Sequence, residues 1–135
     1  MRRLKQPDKL FTLEEANQSL PRLRDILAEM RRIRREVAGL QARIDIEEMT
    51  GGFGARYREA TDPLFARIQD LVEVFQGLMD RLAGEGCLLK DLEKGLVDFY
   101  SIRGGDIVFL CWMEGEERIT HWHALQEGFA GRREI

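Results

Sequence analysis

Both histidines of this sequence stand close together, as His121 and His123. Two strand residues separated by one point to the same side, with side chains roughly 6–7 Å apart at the root. Imidazole nitrogens on one face bind a transition metal when a thiolate or a carboxylate completes the coordination shell. Cys111 and Asp98 are the natural third and fourth ligands. The pattern therefore predicts a Zn or Fe site formed by Asp98, Cys111, His121 and His123.

The alternative interpretation of the same residues is structural. The sequence lacks the CxxC, HExxH and paired ExxH motifs of familiar metal sites, so two polar strand residues and a small buried thiol also account for the pattern. Asp91 and Glu116 are outside candidates for ligands. A further hypothesis is that Cys111 acts as a nucleophile, with His121 or His123 as its base. Against it, a thiol within an apolar strand has a raised pKa and is usually inert.

A second candidate site is the arginine-rich flank between Arg22 and Arg43. It contains the run Arg31-Arg32-Ile33-Arg34-Arg35, whose four cations suit a nucleic-acid backbone. The alternative is a solvated helix flank, since acidic neighbours pair with these arginines at helical spacing and no aromatic side chains stand near enough to stack on bases. The net charge of −3 and the pI near 5.5 also argue against general nucleic-acid binding.

Two long helices are predicted from apolar residues that recur with the period of a coiled coil. A capping box at Thr12-Leu13-Glu14-Glu15 starts the first helix at Leu13, and Pro21 kinks or restarts it. The glycine-rich segment 50–54 ends it near Met49, and Asp62-Pro63 is the clearer start signal of a second helix that Gly84 and Gly86 close. Residues 55–61 are ambiguous, since Tyr57 and Ala60 could extend this helix backwards. The two apolar stripes are Leu23, Ile26, Met30, Ile33, Val37, Leu40 and Ile44, and Leu64, Ile68, Leu71, Phe75, Leu78 and Leu82. A short link between them predicts an antiparallel hairpin.

After Gly86 the apolar period changes to two, which predicts a small antiparallel sheet of three to four strands. The Gly104-Gly105 centre suits a two-residue hairpin turn that places Asp98 opposite Cys111 and Phe99 opposite Leu110. A three-residue loop Met113-Glu114-Gly115 puts both histidines on the face of Asp98 and Cys111. A two-residue loop would turn them to the other face. Both faces are largely apolar, so the C-terminal tail or a second subunit should cover the outer one.

Length and composition indicate one α+β domain over residues 1–135. Its parts are a helical hairpin at 13–84, a β-meander at 85–123 and a tail at 124–135 that folds back through Phe129. Two cysteines make no disulfide framework, which favours a reducing, cytoplasmic setting. The longest apolar run, 107–113, is far shorter than the roughly 20 residues of a membrane helix.

Several strings of the sequence resemble an uncharacterised prokaryotic family, the domain-of-unknown-function family numbered 2203. The N-terminal string is Phe11-Thr12-Leu13-Glu14-Glu15-Ala16-Asn17 with Leu20-Pro21. The central strings are Lys90-Asp91-Leu92-Glu93 and Gly95-Leu96-Val97-Asp98-Phe99. The C-terminal strings are Leu110-Cys111-Trp112, Gly115-Glu116, Trp122-His123 and Gly128-Phe129-Ala130-Gly131-Arg132. The resemblance covers nearly the whole chain and implies membership without implying an activity.

The sequence carries no P-loop, GxGxxG or GxSxG motif and no other recognisable catalytic motif, so it favours a protein that is not an enzyme. The leading prediction is a protein–protein interaction module that forms a homodimer through its helices, because a two-helix seam leaves apolar edges uncovered. The alternatives are the metal-binding protein and the nucleic-acid accessory described above.

Overall fold

The computed structural model describes residues 9–135 and has the predicted α+β architecture. Two long packed helices, α1 (Leu13–Met49) and α2 (Ala55–Gly84), precede a five-stranded antiparallel sheet. The sheet has the three to four predicted strands and a two-residue fifth. The described chain divides into two compact units, residues 28–80 and residues 9–27 with 81–135. The assignment of residues 1–135 to one domain stays a prediction.

Helix α1 begins with the predicted capping box. The Thr12 hydroxyl accepts a hydrogen bond from the Glu15 N–H at 3.1 Å, and the Glu15 carboxylate accepts one from the Thr12 N–H at 3.0 Å. The predicted restart at Pro21 is wrong, because α1 runs through this proline as one helix. Proline removes one backbone donor, and the burial of Leu20 and Leu23 beside it outweighs that loss.

Helix α2 begins at Ala55, so the ambiguous residues 55–61 belong to it, and it contains Pro63 in its interior rather than at its first position. Side chains stabilise its first turns. The Thr61 hydroxyl donates to the Tyr57 carbonyl at 2.8 Å, and the Tyr57 hydroxyl donates to Glu48 of α1 at 3.0 Å. One of these bonds is local to the helix, and the other joins α2 to α1.

The unit formed by residues 28–80 contains the link between the two helices and the part of each helix next to it. Arg67 of α2 forms an ion pair with Glu36 of α1 at 3.0 Å, while the Tyr57 hydroxyl bonds Glu48. Tyr57 precedes Arg67 in α2, whereas its partner Glu48 follows Glu36 in α1. This reversed order shows that the two helices are antiparallel. The buried members of the two stripes in this unit are Met30, Ile33, Ile44, Leu64, Leu71 and Leu78.

The sheet is a meander whose strands follow each other in space in chain order. The strands are β1 (Leu88–Asp91), β2 (Leu96–Arg103), β3 (Asp106–Met113), β4 (His121–Ala124) and β5 (Arg133–Glu134). Gly104 and Gly105 have φ angles of 59° and 84°, as a two-residue hairpin turn with positive φ at both centres needs. The predicted pairs Asp98–Cys111 and Phe99–Leu110 are both present.

The connection from β3 to β4 is longer than the predicted three-residue loop. That loop would place Cys111 opposite Glu117, whereas Cys111 lies opposite His121, and β4 begins only there. The difference of four residues is even. Because strand side chains alternate with period two, the histidines stay on the predicted face although the loop length was wrong.

One face of the sheet forms the core of the unit that contains it. Val97, Phe99 and Trp112 on this face are fully buried. The Phe11 ring packs edge-on against Phe99 at a centroid distance of 5.1 Å, and Asn17 of α1 accepts a hydrogen bond from the Ile119 N–H at 2.8 Å. The first turns of α1 therefore cover this face, and the opposite face carries the candidate site.

The described part of the chain, residues 9–135, contains no membrane-spanning helix. None of its helices combines the length and the apolar character that crossing a bilayer demands. The cytoplasmic setting stays a prediction.

Candidate metal centre

Three of the four predicted ligands converge on one face of the sheet. Asp98, Cys111 and His123 come from the adjacent strands β2, β3 and β4, and their nearest ligand atoms all lie within 4.8 Å of one another. The side chains are almost inaccessible to solvent, with 2%, 0% and 2% of their residue surface exposed. Register alone brings these residues together, since Asp98 pairs with Cys111 and His123 pairs with the neighbouring Phe109.

The hydrogen bonds of His123 show that its Nδ1 carries a hydrogen. Its Nδ1 lies 2.8 Å from the Ala124 carbonyl oxygen, which can only accept, so Nδ1 carries a hydrogen. Its Nε2 lies 3.1 Å from Oδ2 of Asp98. A neutral imidazole with hydrogen on Nδ1 and an ionised carboxylate would present two acceptors to each other. A proton or a metal cation must therefore bridge Nε2 and Oδ2.

The second oxygen of the Asp98 carboxylate, Oδ1, also lacks hydrogen-bond donors. Asp98 Oδ1 is buried and accepts no hydrogen bond from a nitrogen or oxygen donor among residues 9–135, although the Cys111 thiol interacts with this carboxylate. A buried carboxylate oxygen without a partner is costly, because water solvates it in the unfolded chain. A cation bound to one oxygen of Asp98 would compensate the charge that both oxygens of this carboxylate share.

The thiol of Cys111 is held in its protonated form. Burial raises its pKa to about 12, the negative charge of Asp98 adds to the rise, and the guanidinium of Arg132 opposes it. Both nitrogens of His123 are already engaged, by Ala124 and by Asp98, so neither is free to take the thiol proton. His123 therefore cannot act as the base that would activate Cys111 as a nucleophile.

Both cysteines should therefore be unreactive in the native protein. Burial also raises the pKa of Cys87 to about 12. At pH 8 the thiolate fraction of such a group is roughly a thousandfold below that of an ordinary thiol with a pKa near 8.5. We expect labelling by a small thiol reagent, in the presence of a chelator, to be at least a hundredfold slower than in urea. Equal rates for the native and unfolded protein would contradict this assignment.

His121 shares the face of Cys111 but does not join the group. Its Nδ1 lies 2.9 Å from the Thr120 hydroxyl and 3.7 Å from the carboxylate of Glu116. Neither outside candidate belongs to the group. Asp91 accepts a hydrogen bond from the Lys94 N–H at 2.9 Å, and Glu116 accepts from Met113 N–H at 2.7 Å and from Arg132 at 2.6 Å. These carboxylates stabilise turns and the C-terminal segment.

A cavity of about 150 Å³ lies beside the three converging side chains, and sequence reasoning did not predict its walls. Part of the wall comes from the predicted tail, residues 124–135, which includes a 3₁₀ turn over Phe129–Gly131. The only sequence signal was the string Gly128-Phe129-Ala130-Gly131, which indicated that the chain folds back. The remaining lining residues are Lys90, Leu96, Phe109, Leu125, Glu127, Gly128 and Phe129.

The arginine-rich flank was the other predicted site. Arg32 lies between two carboxylates, Glu36 at 3.1 Å and Glu29 at 2.5 Å, so its charge is compensated within α1. Arg22 of the same flank bonds Glu85 through both of its contacting nitrogens, at 2.8 and 3.0 Å. Nucleic-acid binding through Arg31, Arg32, Arg34 and Arg35 stays a prediction, and these pairings favour the structural interpretation.

Comparison with known proteins assigns the chain to a family. A family model described as "Uncharacterized conserved protein (DUF2203)" matches residues 9–135. The chain belongs to this family. The resemblance of the sequence to this family is therefore confirmed over residues 9–135. No curated protein and no solved structure matches the chain.

Proposed function

We propose that this DUF2203 protein binds a transition-metal ion, Zn²⁺ in the first instance, through Asp98, Cys111 and His123. The observation that supports the proposal is the apposition of His123 Nε2 and Asp98 Oδ2 at 3.1 Å, beside a second Asp98 oxygen that accepts no hydrogen bond from a nitrogen or oxygen donor in the described chain. Nitrogen and oxygen ligands of a tetrahedral zinc ion stand about 3.3 Å apart, given bond lengths near 2.0 Å. The measured separation is close to that value.

The donor chemistry and the charge balance support zinc as well. A thiolate, an imidazole and a carboxylate form a mixed set that suits Zn²⁺. Two anionic ligands, Asp98 and a Cys111 thiolate, together with a divalent cation and a neutral His123 give a net charge of zero. A neutral cluster is far less costly to bury than a lone carboxylate.

The surroundings of His123 resemble those of metal-bound histidines in general. Such histidines donate their second ring N–H to a carbonyl or a carboxylate, which fixes the tautomer and the ring orientation. The bond from His123 Nδ1 to the Ala124 carbonyl has this role in the proposal. The raised pKa of Cys111 is compatible with ligation, because metal binding displaces the thiol proton and makes affinity increase with pH.

The test is a zinc titration of the metal-free protein against a chromophoric chelator. We expect one equivalent to bind, and we expect Asp98→Asn and Cys111→Ser each to weaken binding by at least a hundredfold, since each removes one of three ligands. His121→Gln is the matched control for the imidazoles, because His121 lies on the same face outside the group. Cys87→Ser is the control for the thiols.

A second readout separates loss of a ligand from loss of the fold. Co²⁺ bound by a thiolate gives a sulfur-to-metal charge-transfer band, which Cys111→Ser should abolish while circular dichroism stays unchanged. The proposal is overturned if neither Zn²⁺ nor Co²⁺ binds at micromolar concentrations. It is also overturned if His121→Gln weakens binding as much as Asp98→Asn does.

A second candidate function is self-association through the helical hairpin. A groove on residues 28–80 is lined by Ile33, Val37, Val72 and Phe75, among others, and Val72 is 54% exposed. Residues 28–43 carry five arginines and two glutamates, a net of +3, and residues 62–80 carry one arginine and four acids, a net of −3. We propose a second copy as the occupant, because a two-fold arrangement lets each α1 meet the oppositely charged α2 of its partner.

Light scattering tests the dimer. The wild-type protein should have twice the chain mass of 15.7 kDa at micromolar concentrations, and Val72→Glu should halve it by placing a charge in the groove. Val74→Glu is the matched control, since Val74 is 51% exposed on the same helix and does not line the groove. A monomeric wild type, or equal effects of the two substitutions, would count against the dimer.

A further inference from the structure

The cavity beside the three ligands suggests what the proposed metal ion would do. Among residues 9–135, no fourth imidazole, thiolate or carboxylate joins Asp98, Cys111 and His123 within the ligand-to-ligand distance of 4.8 Å. Zinc sites with only structural roles are closed by four protein ligands, whereas sites that bind small molecules keep one position open. An ion held by these three residues would face the cavity with an open coordination position.

The cavity lining contains one acidic residue besides Asp98, and that residue has other partners. Glu127 lines the cavity, but its Oε1 accepts a hydrogen bond from the Ala124 N–H at 3.2 Å and lies 3.1 Å from the Arg133 guanidinium. These contacts hold the carboxylate against β4 and β5 and compensate its charge. Glu127 is therefore not available as the fourth ligand, and its charge does not exclude an anion from the cavity.

Size, lining and charge together define the class of ligand. A volume of about 150 Å³ holds roughly five water molecules, so a ligand has only a few heavy atoms. Much of the wall is apolar, with Leu96, Phe109, Leu125 and Phe129. Lys90 is the cationic residue of the lining, and its ammonium lies 5.2 Å from the centroid of the Phe109 ring.

We infer that the open position binds the carboxylate of a small organic acid, whose short alkyl group contacts the apolar wall while Lys90 attracts its charge. The inference rests on the proposed metal site and adds the ligand class to it. The metal supplies a Lewis-acidic contact for one carboxylate oxygen. The apolar wall distinguishes an alkyl carboxylate from an inorganic anion, which has no group to bury there.

The probe is the Co²⁺-loaded full chain, titrated with formate, acetate and propionate while the visible spectrum of the metal is recorded. We expect saturable spectral changes and an affinity that rises about fourfold per added methylene group, as burial of that group predicts. Sulfate should change the spectrum much less at the same ionic strength.

Lys90→Met tests the role of the charge while keeping an unbranched apolar stem. It should weaken acetate binding roughly three- to tenfold and leave Co²⁺ affinity unchanged, because Lys90 attracts the anion without touching the metal. Lys94→Met is the matched control, since Lys94 lies in the turn after β1 and outside the cavity lining. It should leave both affinities unchanged.

The outcomes separate the two proposals. Absence of Co²⁺ binding overturns the metal site itself. Binding of Co²⁺ with a spectrum that none of the three carboxylates alters overturns only the ligand inference. Equal affinities for formate and propionate, or equal effects of Lys90→Met and Lys94→Met, overturn the assignment of the cavity as the carboxylate site.

Discussion

Zinc at a concentration a thousandfold above its dissociation constant should raise the free energy of unfolding by about 4 kcal/mol. The reason is that the folded state brings together Asp98, Cys111 and His123 from three strands, whereas the unfolded chain does not. For a chain of this length the midpoint of thermal unfolding should rise by roughly 10–20 °C. Circular dichroism during heating, with zinc and with chelator, measures the shift.

Cys111→Ser is the variant of choice for this experiment. It removes the thiolate and keeps a small side chain, so the metal-free protein should fold with little change in volume. Its unfolding temperature should be nearly insensitive to zinc. Cys87→Ser should retain the full zinc response, because Cys87 lies outside the ligand group and its thiol contacts the Leu82 carbonyl. A similar zinc response in wild type and Cys111→Ser would show that zinc binds elsewhere.

Trp112→Ala should lower the free energy of unfolding by about 3–5 kcal/mol, the usual cost of truncating a buried aromatic residue. The Trp112 side chain is fully buried, its Nε1–H donates to the Glu116 carbonyl at 3.0 Å, and the Arg24 guanidinium lies 5.5 Å from its ring centroid. The substitution leaves a large cavity between the sheet and the first turns of α1. Urea denaturation followed by circular dichroism measures the loss.

Two comparisons make the effect of Trp112 specific. Trp112→Phe retains most of the apolar surface and loses one hydrogen bond, which should cost about 1–2 kcal/mol. Trp122→Ala should cost less than Trp112→Ala, because Trp122 is only partly buried and has the guanidinium of Arg103 over its ring at 5.0 Å. Trp122 pairs with Leu110 and so lies on the same face as Trp112, nearer its margin. An equal or larger loss for Trp122→Ala would contradict the placement of Trp112 at the centre of this core.

The helices and the first hairpin follow from local rules that operate within a few residues. A heptad pattern specifies an apolar stripe, Thr12 and Glu15 form a cap across three residues, and two successive glycines permit the tight turn at Gly104-Gly105. At Pro21 and Pro63 the local rule that proline interrupts a helix did not predict the structure. Proline discourages a helix by a few kcal/mol, and packing of neighbouring side chains can exceed that cost, as it does at both positions.

The candidate site was predictable in part for the same reason. Side chains alternate along a strand, so any loop with an odd number of residues between β3 and β4 places the two histidines on the face of Asp98 and Cys111. The sequence therefore predicts the correct face for all four residues. Alternation does not specify where a ring points. His121 turns its Nδ1 toward Thr120 and Glu116, and only His123 directs a nitrogen toward Asp98.

Strand periodicity and turn chemistry were thus enough to identify the sheet face and most of the residues on it. The convergence of three ligand atoms and the cavity that Phe129 helps to enclose depend on tertiary packing. The physical reason is that backbone geometry constrains side-chain direction only along each strand. The orientation of a rotamer, and the return of a segment that follows the sheet, depend on contacts between residues far apart in the chain.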